Sequence, residues 1–103
     1  MAESVKIAQV GDIPEGRGQV VEVQGRTIAL FNVNGEFFAI QNTCPHRGAP
    51  LGEGALEGTV VTCPWHGWQF DVTTGASPVN PAARQDTYPV TVAGDDLRVE
   101  LED

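Results

Sequence analysis

The stretch of residues 44–66 decides the organisation of this chain, because it begins and ends with paired metal-ligand residues. It opens with Cys44-Pro45-His46 and closes with Cys63-Pro64-Trp65-His66. The two cysteines and two histidines of the chain all lie in these two boxes. Two thiolates and two imidazoles form a sufficient ligand set for a metal centre. The alternative is that the cysteines are reduced core residues and the histidines lie on the surface. This alternative does not explain why each box contains a proline and is followed by a glycine.

The grouping of these ligands bears on the type of metal centre. Two cysteines and two histidines suit a tetrahedral zinc ion, and thiolates also suit an iron–sulfur cluster. Zinc fingers usually place the cysteines in one half and the histidines in the other, whereas each box here mixes the two. Mixed halves favour a two-iron cluster in which one iron takes both thiolates and the other takes both imidazoles. A structural zinc module for protein interaction stays open as the alternative.

The boxes and their flanks resemble those of Rieske proteins. The segments that carry the resemblance are Cys44-Pro45-His46-Arg47-Gly48 and Cys63-Pro64-Trp65-His66-Gly67-Trp68-Gln69-Phe70-Asp71. They are most similar to the small Rieske-type ferredoxins that serve bacterial ring-hydroxylating oxygenases. Weaker similarity at residues 11–16, 81–82 and 88–90 extends the resemblance over essentially the whole chain.

The resemblance implies one Rieske [2Fe-2S] cluster as the cofactor. Cys44 and Cys63 would hold one iron, and His46 and His66 would hold the other. With two neutral imidazoles in place of two thiolates the oxidised cluster carries no net charge, so it accepts an electron more easily. The two histidines would also form the docking tip for a partner protein.

The resemblance further implies a one-electron carrier that acts as a monomer. It would take electrons from an NAD(P)H-dependent flavin reductase and pass them to a terminal oxygenase that hydroxylates aromatic rings. The sequence shows no acid–base pair or nucleophile set, so the chain is not expected to be an enzyme by itself. The alternative with the same cluster is a small electron-transfer subunit of another reductase, for example one acting on nitrite.

Four positions depart from the Rieske proteins of respiratory and photosynthetic cytochrome complexes. Those proteins join their boxes by a disulfide, where this chain has Ala49 and Trp65. They also carry a serine and a tyrosine whose hydroxyls bond to cluster sulfurs, where this chain has Trp68 and Phe70. A high-potential, quinol-oxidising role is therefore not expected. The reduction potential should lie near the bottom of the Rieske range of about −150 to +300 mV.

Further residues near the boxes have predicted structural roles. Gly48 and Gly67 each follow a box and are expected to form tight turns that aim backbone N–H groups at the cluster. Ordinary loop glycines are the alternative. By resemblance, the segment at Pro81 covers the cluster as a third loop. Trp68 and Phe70 are expected to pack in the core.

The composition limits the classes of partner. The chain has 103 residues and a formal net charge of −8, which disfavours nucleic acid and anionic membranes because their binders are basic. An acidic carrier is steered towards a partner with a positive docking face. The first residues lack the basic start and apolar run of a signal peptide, and no stretch of 18 apolar residues is present. Two cysteines without such a signal indicate a cytoplasmic, metal-binding protein.

Short β-patterned segments without a long helical period predict an all-β fold. The predicted strands are 5–10, 19–23, 26–33, 36–41, 59–62, 68–72, 88–92 and 97–101. Asn34-Gly35 is the strongest hairpin signal, and alternation places Phe38 and Ile40 on one face of their strand. The resemblance refines this to a single Rieske domain. Its base is an antiparallel sandwich or barrel formed by residues 1–41 and 73–103, with a cluster-binding lobe inserted at 42–72.

Overall fold

A computed structural model describes residues 2–42, 50–64, 67–78 and 84–102 of the protein. Within these ranges the structure is all-β, with ten strands and two short 3-10 helices, Val10–Asp12 and Leu51–Glu53. The strands are β1 Ala2–Gln9, β2 Arg17–Val23, β3 Arg26–Val33, β4 Glu36–Gln41, β5 Ala55–Glu57, β6 Val60–Thr62, β7 Gln69–Asp71, β8 Thr87–Tyr88, β9 Val90–Ala93 and β10 Asp96–Glu102. They form three antiparallel sheets, so the predicted all-β class is confirmed.

Two of the three sheets combine strands from the N-terminal and C-terminal parts of the chain, and the third is formed by consecutive strands. The first has the order β1-β10-β9, the second β2-β3-β4-β8, and the third β5-β6-β7. The hairpin between β3 and β4 turns at Asn34-Gly35, where φ is 53° and 92°. Positive φ at both central positions is the type I′ pattern expected of Asn-Gly. The hairpin prediction is therefore confirmed.

The second sheet lies between two hydrophobic cores. One face of this sheet contributes to a cluster that we call the base core, which consists of Ile13, Val23, Ile28, Leu30, Ala39, Leu97, Val99 and Leu101. The opposite face contributes to a cluster that we call the lobe core, which consists of Ala29, Phe31, Ile40, Leu51, Val61, Cys63, Phe70 and Val72. Phe38 packs with Ile40 on the lobe core, while Phe37 packs with Ala39 on the base core, as alternation predicts. The sheet thus joins the base to the segment that carries the second ligand box.

The predicted strand 88–92 is wrong in one respect, because two strands in different sheets share this segment. Tyr88 in β8 pairs with Ala39, whereas Val90 in β9 pairs with Val99. Pro89 lies between them and has no backbone N–H to continue a ladder. Its carbonyl still accepts a hydrogen bond from the Glu100 N–H at 3.0 Å. The proline is where the chain changes sheets.

One strand was missed by the sequence reasoning. The glycine-rich stretch 47–58 was expected to form no stable helix, and its described part contains only the 3-10 helix Leu51–Glu53 and β5. β5 is short and pairs with β6 through Ala55–Thr62, Leu56–Val61 and Glu57–Val60. β5 forms a strand because it pairs with the neighbouring β6. Three residues are too few to show the alternation that indicates a strand in a sequence.

The third sheet lies inside the range predicted for the cluster-binding lobe, although the division into base 1–41 and 73–103 and lobe 42–72 stays a prediction. The lobe core includes Phe31 and Ile40 from the second sheet together with Val61 and Phe70 from the third. The second and third sheets therefore both contribute to the lobe core. In the described part of the chain, no helix is long and apolar enough to cross a membrane.

Candidate metal centre

Cys63 is the predicted ligand that the structure describes. It follows β6 directly and is 2% exposed, in the lobe core with Leu51 and Phe70. Its backbone N–H donates to the Trp68 carbonyl at 2.6 Å, and its carbonyl accepts from the Gly67 N–H at 3.1 Å. These two bonds close the loop between β6 and β7. The second ligand box is thus anchored where its cysteine enters the core.

Gly67 adopts the left-handed backbone conformation that favours glycine. Its φ is +73°, and a Cβ there would meet no atom within 4 Å, so the backbone rather than crowding requires glycine. The predicted tight turn is confirmed. The Gly67 N–H donates to the Cys63 carbonyl, so this amide closes the loop. The prediction that this N–H is directed at a cluster sulfur is therefore wrong for Gly67, and Gly48 lies outside the described residues.

Three of the four predicted ligands, Cys44, His46 and His66, lie outside the described residues. Trp65, Ala49 and Pro81 lie outside them as well. Among the residues that are described, no group of three or more histidine, cysteine or acidic side chains could hold a metal ion. The four-residue ligand set stays a prediction.

The stems of the ligand segments are nevertheless closely connected. The first segment leaves β4 at Asn42 and re-enters the described structure at Pro50. The Leu51 N–H donates to the Asn42 carbonyl at 2.9 Å, which joins the two ends of the segment. Leu51 and Cys63 then share the lobe core. The chain thus brings the stem of the first box against the cysteine of the second.

The aromatic side chains after the second box line the same core. Phe70 is fully buried, and Trp68 is partly buried and packs against the lobe core. Their ring centroids lie 6.5 Å apart at an interplanar angle of 37°. Core packing of Phe70 is confirmed, and Trp68 contributes from the edge. Neither side chain carries a hydroxyl.

Asp71 has a structural role, as expected for a residue that ends a strand. Its Oδ1 accepts from the Thr73 N–H at 2.9 Å and from the Thr73 hydroxyl at 2.6 Å. Its backbone N–H donates to the Ala76 carbonyl at 2.8 Å, and its own carbonyl accepts from the Gly75 N–H at 2.7 Å. These bonds hold the turn after β7. They position the chain as it leaves the second box.

The described residues fit an iron–sulfur cluster. A thiol that is almost fully buried beside apolar side chains is shielded from water, and no residue from 60 to 70 carries a formal charge. A buried, low-charge site suits a metal ligand whose own negative charge is neutralised by iron. Two thiolates and two imidazoles are the donor set of a Rieske centre, in which histidine replaces cysteine on one iron. Cys63 supplies one of those thiolates.

Sequence reasoning missed two residues near the site, Asn42 and Gln85. Asn42 is 6% exposed and Gln85 is 2% exposed, which is unusual for side-chain amides. The sequence contained a signal for Asn42, because an asparagine side chain beside a loop commonly forms hydrogen bonds to nearby backbone groups. For Gln85 no local signal exists, since its partner Gln41 lies 44 residues away.

A surface depression of about 580 Å³ lies on the base. Its lining includes Arg26, Asp86, Thr87, Tyr88 and Glu100. Cys63, the ligand that the structure describes, is not among its lining residues.

Comparison with known proteins identifies the family. The model of the Rieske [2Fe-2S] domain matches residues 3–94. The chain belongs to the Rieske [2Fe-2S] family. The family's [2Fe-2S] cluster replaces the structural zinc module that the ligand count alone left open.

Relatives of nearly equal length place this Rieske chain among the ferredoxin components of aromatic ring-hydroxylating dioxygenase systems. It is 41% identical to the ferredoxin component of the naphthalene 1,2-dioxygenase/salicylate 5-hydroxylase systems of Ralstonia sp., over 94% of this chain and 92% of the relative. It is 43% identical to the 3-phenylpropionate/cinnamic acid dioxygenase ferredoxin subunit of Shigella flexneri, over 89% and 88%. The Rieske chain is therefore an electron carrier rather than the oxygenase itself.

Solved structures agree with this placement. The Sphingomonas yanoikuyae B1 ferredoxin matches with a TM-score of 0.88 and 32% identity, over 97% of this chain and 100% of that chain. A structure of the complex of reduced oxygenase and oxidized ferredoxin in carbazole 1,9a-dioxygenase matches with a TM-score of 0.86 and 32% identity, over 93% and 91%. A chain described as an NADH-dependent nitrite reductase small subunit from Mycobacterium tuberculosis has a TM-score of 0.92, over 100% of this chain and 98% of that one. Its identity of 22% shows a shared fold alone.

Proposed function

We propose that this Rieske ferredoxin receives single electrons from an NAD(P)H-dependent flavin reductase and delivers them to a terminal aromatic-ring-hydroxylating oxygenase. The observation that supports the proposal most strongly is the near-complete coverage of ferredoxin components, at 41% identity over 92% of the Ralstonia relative. The structural match to a ferredoxin seen with its oxygenase supports the second half of the path. The protein would act as a monomer in the cytoplasm.

The ligand assignment forms part of this proposal. Cys44 and Cys63 would hold one iron, and His46 and His66 the other. When bound, the cluster supplies a one-electron couple. Burial of Cys63 excludes water from its thiolate, and the two backbone bonds to Gly67 and Trp68 hold the loop that carries His66.

The proposed path can be tested with separated components. The cluster-loaded protein is mixed with NADH and a flavin reductase from a naphthalene dioxygenase system, and bleaching of its visible absorption is followed. The reduced protein is then mixed with the oxidised terminal oxygenase under anaerobic conditions. We expect catalytic bleaching in the first step and stoichiometric reoxidation in the second. Loss of the cluster in Cys63→Ala should abolish both.

The same experiment separates the proposal from its alternative. A protein that is reduced by NADH through the reductase but passes no electrons to any ring-hydroxylating oxygenase would contradict the proposed acceptor. Reoxidation by a nitrite reductase instead would support the small-subunit role. Only the shared fold points to that second role at present.

A further inference from the structure

The side chain of Asn42 closes the segment that carries the first ligand box. Asn42 is 6% exposed, and its Oδ1 accepts a buried hydrogen bond from the Gly52 N–H at 2.8 Å. Its backbone carbonyl accepts from the Leu51 N–H at 2.9 Å, and its own N–H donates to the Thr27 carbonyl at 3.1 Å. In sequence, Cys44 and His46 follow Asn42 by two and four residues. One residue thus fastens both ends of the segment to each other and to β3.

The 3-10 helix Leu51–Glu53 connects the Asn42 stem to the second box. Its last turn is closed by the Gly54 N–H, which donates to the Leu51 carbonyl at 3.0 Å. Gly54 lies so near the Thr62 carbonyl that no Cβ would fit between them. Thr62 immediately precedes Cys63. A shift of the Asn42 stem would therefore displace the backbone next to the described ligand.

Gln85 makes the corresponding connection for the segment that contains Pro81. It is 2% exposed, and its Nε2 donates to the Gln41 carbonyl at 3.0 Å. Its backbone N–H donates to the Gly75 carbonyl at 2.7 Å. Next to it, the Asp86 carbonyl accepts from the Gln41 N–H at 2.8 Å. The stem after residues 79–83 is thereby bound to the last residue of β4, which directly precedes Asn42.

We infer that Asn42 and Gln85 are positioning residues of the metal centre, whose buried amide side chains fix the two segment stems relative to Cys63. The inference rests on the proposed cluster ligation. Residues that orient metal ligands without touching the metal commonly change metal affinity by about 10–100-fold when they are replaced. A purely structural amide would lower stability without changing the environment of the metal.

Asn32 provides a matched control for Asn42. It is 5% exposed, its Nδ2 donates to the Ile13 carbonyl at 2.8 Å, and its Oδ1 accepts from the Gly35 N–H at 2.8 Å. The two asparagines are alike in burial and in the length of these bonds. Asn32 differs in location, because its partners lie in the β3–β4 hairpin and the loop before β2. Asn32→Ala should therefore lower stability without affecting the metal centre.

The test compares cluster-loaded parent, Asn42→Ala, Asn42→Asp and Asn32→Ala proteins. Iron release to a chelator is measured at a fixed interval below each variant's Tm, and the EPR g values of the dithionite-reduced proteins are recorded. We expect Asn42→Ala to release iron about 10–100-fold faster than the parent and to shift the g values. Asn42→Asp keeps an acceptor oxygen, so it should retain iron nearly as well as the parent. Asn32→Ala should match the parent in both readouts.

Gln85→Glu is an independent variant if Asn42→Ala does not fold. It keeps the side-chain length but removes the Nε2 donor to the Gln41 carbonyl, so we expect the same faster release and shifted g values. If Asn42→Ala and Gln85→Glu released iron at the rate of Asn32→Ala with unchanged g values, the positioning role would be overturned. A parent without an iron–sulfur signal would overturn the proposed function as well, so the two failures can be distinguished.

Discussion

By resemblance of the second box, Phe70 would correspond to a position at which high-potential Rieske proteins carry a hydroxyl. Its ring is fully buried in the lobe core together with Cys63. A hydroxyl that donates to a cluster sulfur stabilises the more negative reduced state and raises the potential. The absence of such a hydroxyl on both Phe70 and Trp68 is the residue-level reason to place this potential near the low end of the range, at about −150 mV.

We predict that Phe70→Tyr raises the reduction potential. A hydrogen bond to a charged group contributes about 1.5–3 kcal/mol, and about 59 mV corresponds to a tenfold change for one electron. Since only the part of the bond that differs between redox states counts, we expect a rise of tens of millivolts, up to about a hundred. Protein-film voltammetry measures it. Phe38→Tyr, the same change on a partly buried ring of β4, serves as the control and should leave the potential unchanged.

Each of the four predicted ligands is expected to be indispensable. Replacement of Cys44, His46, Cys63 or His66 by alanine should abolish the cluster and weaken the fold, because metal binding is coupled to folding. Absorption, iron content and the reduced-state EPR spectrum measure the loss. Val61→Ala truncates a fully buried neighbour of Cys63 in the lobe core and should keep the cluster. A normal EPR signal after any ligand replacement would remove that residue from the set.

Among the strands, the backbone of Gly54, directly before β5, lies close to the carbonyl of Thr62 at the end of β6, next to Cys63. We predict that Gly54→Ala destabilises the protein by about 1–3 kcal/mol, because its Cβ would press on the Thr62 carbonyl. Gly11 is the control, since a Cβ there meets nothing within 4 Å and its φ is not positive. Gly11→Ala should change the free energy of unfolding by less than about 0.5 kcal/mol. Urea unfolding of both variants measures the difference, and equal values would contradict the close approach.

The elements that could be predicted from sequence are those with a strong local pattern. Strands β3 and β4 have the expected bounds, since continuous apolar runs flank an Asn-Gly turn. β5 was missed because three residues are too few to show a periodic pattern. The division of 88–92 at Pro89 depends on the pairing of Tyr88 with the distant Ala39, which single-sequence patterns do not contain. The ligand boxes could be read because four residues of two rare types, cysteine and histidine, occur at diagnostic spacing. The buried amide of Gln85 could not, because its bond to the Gln41 carbonyl joins segments 44 residues apart.

At the scale of the whole molecule, acidic charge dominates the long-range field. The formal net charge of −8 is only locally offset, for example by the Lys6–Asp96 ion pair at 3.2 Å between partly exposed side chains. A carrier with such a field should approach a positively charged partner faster than an uncharged one. The long-range attraction depends on ionic strength, because salt screens it beyond about 10 Å at 0.1 M.

We therefore predict that electron transfer between the reductase and this ferredoxin slows as salt rises. Stopped-flow absorption at increasing sodium chloride concentration measures the second-order rate constant. The first-order rate within a preformed complex serves as the internal control and should depend less on salt. A second-order rate that stays flat from low to high salt would show that the acidic residues contribute to solubility only.

A two-iron cluster ligated by both cysteines and both histidines can be detected by metal analysis combined with pulsed EPR. Protein produced with iron available is analysed for metal and acid-labile sulfide, and its reduced form is examined by pulsed EPR with and without ¹⁵N-labelled histidine. We predict about two irons and two sulfides per chain, together with nitrogen couplings that change on histidine labelling. One zinc without iron, or a cluster signal free of histidine nitrogen coupling, would contradict it.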